Sequence, residues 1–189
     1  METIVNPENT KNEVLRKIGR NMLRFQEVEH LLKFIIANGN IEGYVSEIQA
    51  KQESQVSSVQ KQTMGTLVGK FIENTHSESD ENTEGPKDLK EAYVSFNFRV
   101  DADAAYYETK KESLASIVND RNDLIHHLLP RLNNSIESWL DTEKYLDRQH
   151  EKLIPEINAL QSLIHHFHES KKIYFAYLNS DEGKKQFEL

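Results

Sequence analysis

The chain has 189 residues, enough for one apolar core of ordinary size, and 37% of them are hydrophobic. Charged residues make up 29%, with only 7 glycines and 4 prolines, a balance that favours long helices over turn-rich β architecture. The lack of cysteine excludes disulfides, thiolate metal sites and thiol nucleophiles, and the formal charge of -8 works against broad nucleic-acid binding.

The N-terminal METIVNPENTKNEV lacks the basic-then-apolar order of a signal peptide, and no apolar run approaches the roughly 20 residues of a membrane span. A cytoplasmic protein, neither exported nor membrane-spanning, is expected. Any nucleic-acid contact must then be local, in a cleft or across a subunit interface.

Thr10 followed by Glu13 is a capping-box pattern and predicts a helix beginning near residue 10. Val14, Ile18, Met22, Phe25, Val28, Leu32 and Ile35 then recur at three- and four-residue steps, and Gly39 with Asn40 supplies a stop. Over 42–74, Tyr44, Ile48, Val56, Val59, Met64, Leu67, Val68 and Phe71 keep helical spacing but are diluted by Gln and Ser, which predicts a second long helix with a weak centre. Residues 75–88, HSESDENTEGPKDL, have no apolar period and read as a mobile acidic surface loop.

Val94, Phe96, Phe98 and Val100 alternate with Tyr93, Ser95, Asn97 and Arg99, the period-two pattern of a half-buried extended segment over about 92–100. No second strand is evident, so an ordered crossing of the bundle and pairing with its own copy in a dimer both stay open. Asp101 or Asp103 caps a third helix running to about Leu129, where Pro130 opposes continuation. A last helix starts at Asn134, with Glu137 three residues on, and its apolar spacing runs from Trp139 to Tyr174; Pro155 is expected to kink or split it. The tail 180–189, SDEGKKQFEL, has little to bury and is expected to fray. The whole reads as a single all-α domain, 1–189: an antiparallel helical bundle of four to five helices with one short extended segment.

On the third helix Leu114, Ile117, Val118, Leu124, Ile125 and Leu128 share one face at about 100° per residue, and Arg121 lies in the middle of it. A guanidinium there needs a carboxylate, a phosphate or a partner chain, because burying an unpaired charge is strongly unfavourable. A structural ion pair, or an arginine snorkelling past its neighbours, would also satisfy it. Asn122 and His126 stand four residues apart on one side of the helix, with Asn119 close by. Imidazole suits proton transfer near neutrality, and an adjacent amide can orient the ring or hold a phosphate oxygen.

The stretch RNDLIHH at 121–127 resembles the Arg, polar residue, three others, His motif of the HEPN superfamily. Arg121, Asn122 and His126 match that motif position by position, and His127 fits its longer-spaced variant. The resemblance implies a helical bundle and a metal-independent endoribonuclease of toxin–antitoxin or antiviral defence, needing no cofactor. It further implies a homodimer whose two motifs converge on RNA, with His127 and Asp123 as auxiliary residues and an inhibitor or antitoxin protein as a further partner. In such a site the RNA 2′-hydroxyl attacks the adjacent phosphate, His126 moves protons, and Arg121 and Asn122 hold the developing phosphorane charge. The alternative is a non-catalytic module of the same fold serving protein association or regulation. Geometry sets a condition, since Arg121 and His126 point about 140° apart on an ideal helix.

Elsewhere, HHFH at 165–168 places His165 and His168 one turn apart, but two histidines need a third ligand to hold a metal. Asp120 and Asp123 read as a solvated face, and Tyr106 and Tyr107 as packing against a neighbouring helix, with stacking on a base as the alternative for either. The chain has no GxxxxGK[ST], GxGxxG, HExxH or GxSxG, which leaves nucleotide hydrolysis, dinucleotide redox chemistry, zinc proteolysis and α/β-hydrolase chemistry without an anchor.

Overall fold

The computed structural model describes residues 6–76, 91–133 and 135–187. Helix α1, Pro7–Gly39, starts earlier than the Thr10–Glu13 pattern suggests: Asn6 caps it by accepting from the Glu8 N–H at 3.0 Å, with Pro7 in the first turn. Thr10 therefore lies inside the helix, its hydroxyl donating to the Asn6 carbonyl, and Glu13 pairs with Arg16 instead.

The segment 42–74 is not one helix. Strand β1, Asn40–Tyr44, comes first, followed by α2, Ile48–Gln60, and α3, Met64–His76. Gly43 adopts a φ of 154°, a conformation that favours glycine and ends any helical continuation from Gly39. The Gln- and Ser-rich middle is the reason for the second break, since α2 fully buries only Val59 and has little apolar face to carry through 61–63. Of the expected acidic loop, residues 75 and 76 belong to α3, and 77–88 lie outside the described residues.

Strand β2, Tyr93–Asn97, confirms the extended segment and supplies its missing partner within the chain. It pairs antiparallel with β1, Asn40 opposite Asn97 and Tyr44 opposite Tyr93. Helix α4, Ala104–His126, is capped by Asp103, whose carboxylate accepts from the Tyr106 N–H at 2.8 Å. It stops three residues before Leu129, and a one-turn helix α5, Leu128–Arg131, takes Pro130 where a first-turn N–H has no helical partner to lose.

Helix α6, Ile136–Asn179, runs 44 residues unbroken through Pro155, so the expected split does not occur. Pro155 and Glu151 are both exposed, which leaves the carbonyl deprived of its i+4 donor on the solvent side. Ser135, one residue after Asn134, is the cap, accepting from the Ser138 N–H at 3.2 Å. Within the tail, α7, Asp181–Phe187, is started by the Ser180 hydroxyl, which accepts from the Gly183 N–H at 3.1 Å. A Cβ on Gly183 would collide with the Tyr177 carbonyl oxygen, so only glycine lets α7 fold back this closely.

The fold is thus an all-α bundle with a two-stranded sheet. Cross-links give the helix directions. Lys17 meets Glu143 and Asp147, Glu27 meets Gln161, and Phe34 meets Phe167, so α1 and α6 run parallel. Lys110 meets Glu156 and Asp120 meets Lys152, so α4 runs antiparallel to α6, as it does to α3, where the Tyr107 hydroxyl donates to the Thr75 carbonyl. Val28, Leu32, Leu67, Leu114, Ile117, Leu146, Leu153 and Leu160 are at most 1% exposed and join these helices in one core cluster. Among the described residues no helix is long and apolar enough to cross a membrane.

Candidate functional site

Helix α4 enters the core through Leu114, Ile117 and Leu124 and emerges at its C-terminal turn, where the 121–127 stretch lies. Its end is set by His127, whose N–H donates to the Asp123 carbonyl at 2.9 Å before the chain turns into α5. The motif therefore occupies the last turn and a half of a helix whose preceding turns are anchored, an arrangement that fixes the backbone while leaving side chains accessible.

Arg121 follows Ile117 and precedes Leu124 on the inward stripe, as its spacing predicts, yet it is only half-buried. Its Nη1 donates to Asn122 Oδ1 at 3.1 Å. No carboxylate among the described residues forms an ion pair with it, so the structural ion pair that would explain the arginine is absent there. Asn122 is held by Arg121 and not by His126. The rings of His126 and His127 are exposed, with centroids 6.3 Å apart. Within one chain the structure brings Arg121 and Asn122 together and leaves the two imidazoles on the neighbouring surface.

Asp123 has a different occupation. Its Oδ2 accepts from the Tyr145 hydroxyl at 2.7 Å, and Tyr145 in turn accepts from Gln149 Nε2 at 2.7 Å. Gln149, 1% exposed, also donates to the Asp120 carbonyl at 3.0 Å and accepts from Asn21 Nδ2 at 3.2 Å. Asn21 is fully buried and reaches the Leu146 carbonyl at 2.7 Å. A polar chain thus runs from the centre of α1 through α6 to the end of α4. Burial, followed by the Asp123 carboxylate, pushes the Tyr145 phenol well above its ordinary range, so it remains a proton donor to Asp123. Asp120 is engaged as well, by Lys152 at 2.9 Å.

Sequence reasoning missed Asn21, Tyr145 and Gln149. A signal existed for two of them: Asn21 sits seven residues after Val14 and four before Phe25, and Gln149 three after Leu146 and four before Leu153. Each is a polar residue in an apolar stripe, the same anomaly that singles out Arg121. Beside Tyr145, a cleft of about 280 Å³ opens between α5 and α6, lined by Leu128, Ser138, Asp141, Thr142 and Tyr145.

The other histidine group has local roles. His166 Nδ1 lies 2.8 Å from the Ser162 carbonyl, and the His168 ring packs at 5.5 Å from Phe34, while Phe167 between them is buried. No cluster of three or more His, Asp or Glu suited to a metal occurs among the described residues. Tyr107 packs inward as expected, its hydroxyl donating to the Thr75 and Val100 carbonyls, whereas Tyr106 is 38% exposed. No protein-family model, curated protein or solved structure matches the chain.

Proposed function

We propose that the chain is a metal-independent endoribonuclease of HEPN type, acting in toxin–antitoxin or antiviral defence, with a catalytic site formed where two copies of the 121–127 stretch meet. The observation that carries this reading is Arg121: half-buried, tied to Asn122, and without a carboxylate among the described residues. A guanidinium partly withdrawn from water and lacking a counter-ion is matched by an oxyanion, and a phosphate accepts its forked donors in pairs. His126, with His127 beside it, is exposed and able to reach a ribose hydroxyl or leaving oxygen. The angular offset between Arg121 and His126 favours assembly across a twofold axis, where the arginine of one copy faces the histidine of the other. An inhibitor or antitoxin protein would act by covering this exposed helix end. The engagement of Asp123 by Tyr145 assigns it to positioning the helix end.

Wild type, Arg121→Ala and His126→Ala proteins incubated with RNA in EDTA test the proposal. Cleavage by wild type is expected to fall about 10²–10³-fold on losing Arg121 and about 10²–10⁴-fold on losing His126. No cleavage by wild type, or cleavage by both variants at the wild-type rate, refutes it. A strict monomer by light scattering at high concentration removes the composite site.

A second reading, a non-catalytic module for protein association, is favoured by a separate observation. Ile173 and Tyr177, one helical turn apart near the end of α6, are 71% and 41% exposed, neighbouring apolar groups of the kind found at contact sites.

A further inference from the structure

At the end of the molecule where the β1–β2 sheet, the start of α2 and the C-terminal third of α6 meet, the structure encloses a cavity of about 230 Å³. Its walls are mostly apolar: Ile41, Val94 and Phe96 from the two strands, Ile48 from α2, and Tyr174 and Phe175 from α6. At about 30 Å³ per water it corresponds to some eight waters, smaller than a site for a drug-sized molecule.

One cation, Lys171, lines it. Its Nζ stands 4.6 Å from the centroid of the Phe167 ring and 5.7 Å from that of Phe96, so two aromatic faces partly replace its hydration. No carboxylate among the described residues lies within ion-pair distance of it, in contrast to Lys17, Lys110 and Lys152, which each have one. Burial alone holds the Lys171 amine below the ordinary lysine range, with no acidic group opposing that effect. The polar neighbour in the lining, Gln52, commits its amide N–H to Asn38 Oδ1 at 3.1 Å. An ammonium partly stripped of water, facing an apolar cavity and lacking a counter-ion, is stabilised by an anion delivered on an apolar body.

The geometry points to a ligand site, separate from the 121–127 stretch, for a small monocarboxylic acid whose single aromatic ring or branched chain fills the cavity while its carboxylate meets Lys171. A neutral molecule of the same shape gains only the apolar contacts, so the charge is the selective element. The dicarboxylic analogue is disfavoured because its second anion has no partner among the lining residues.

Isothermal titration of the full chain with 4-phenylbutyrate and with 4-phenylbutanol tests this. The acid is expected to bind at least about tenfold more tightly than the alcohol. Lys171→Met removes that preference and Lys171→Arg retains it, while Val94→Trp, which fills the cavity, abolishes binding of both compounds. Unchanged helical circular dichroism shows that each variant is folded; should Val94→Trp fail to fold, line broadening of the Phe96 and Phe175 ring signals on adding 4-phenylbutyrate locates the site. Equal affinity for acid and alcohol, no binding of the acid at millimolar concentration, or a preference that survives Lys171→Met overturns the assignment.

Discussion

Replacing Gln149 by leucine should destabilise the protein by about 2–3 kcal/mol, although leucine is similar in size and more apolar. Gln149 is 1% exposed and takes part in three hydrogen bonds, to the Asp120 carbonyl, the Tyr145 hydroxyl and Asn21. At about 1 kcal/mol net for each neutral bond the loss is about 3 kcal/mol, and leaving buried partners unsatisfied pushes it upward. Burying the leucine side chain offsets about 1 kcal/mol of that. Urea denaturation followed by circular dichroism reads the change as a midpoint lowered by about 1 M at unchanged slope. Asn21→Leu combined with Gln149→Leu is the sharper test. Once both amides are gone neither strands the other, so the double variant should lose at least about 0.5–1 kcal/mol less than the sum of the singles. A Gln149→Leu protein within about 0.5 kcal/mol of wild type, or strictly additive variants, would refute the claim that this chain of amides ties α1 to α6.

Further outcomes follow from other buried groups. Lys17, 7% exposed, is held by Glu143 at 2.8 Å and Asp147 at 2.6 Å, contacts that raise the lysine pKa against the effect of burial. Glu143→Gln with Asp147→Asn leaves the Lys17 ammonium only the more distant Glu13, at 3.9 Å, and should cost about 3 kcal/mol, whereas Lys17→Met leaves two partly hydrated carboxylates and should cost under about 1 kcal/mol, both read from urea midpoints. His150 has a buried Nδ1 without a hydrogen-bond partner among the described residues, and burial, then Arg20 and Arg24, hold its pKa below the ordinary 6.5. The unfolded chain therefore takes up this proton first. Its stabilising contribution is in place above 6.5 and is lost as pH falls toward the depressed folded value, so His150→Leu should flatten the difference between urea midpoints at about pH 7.5 and 5.5. Gly183→Ala should detach α7 from Tyr177, seen as faster amide exchange over residues 181–187 with α6 unaffected.

Apolar spacing was sufficient to read α1, α4 and α6 from the sequence, because a stripe repeated over many turns can be buried in few ways other than as a helix. The alternation over 93–100 likewise specified an extended segment, and the lone arginine between Ile117 and Leu124 singled out the end of α4. The tertiary structure decided what depends on partners distant in the chain. Strand β1 is five residues, carries no alternation of its own and exists because β2, at 93–97, supplies its hydrogen bonds from far along the chain. Pro155 stays within an unbroken helix because α6 is packed on both sides of it, through buried residues from Thr142 to Phe167, which local propensity does not register. For the candidate site, residue types and spacing singled out Arg121, Asn122 and His126, and the motif resemblance added His127. Only the folded chain sets Arg121 against Asn122 with no carboxylate among the described residues, gives Asp123 to Tyr145, and gathers Asn21 and Gln149 from separate helices. Side-chain pairing across helices depends on which faces meet, and that choice is made by packing the whole core.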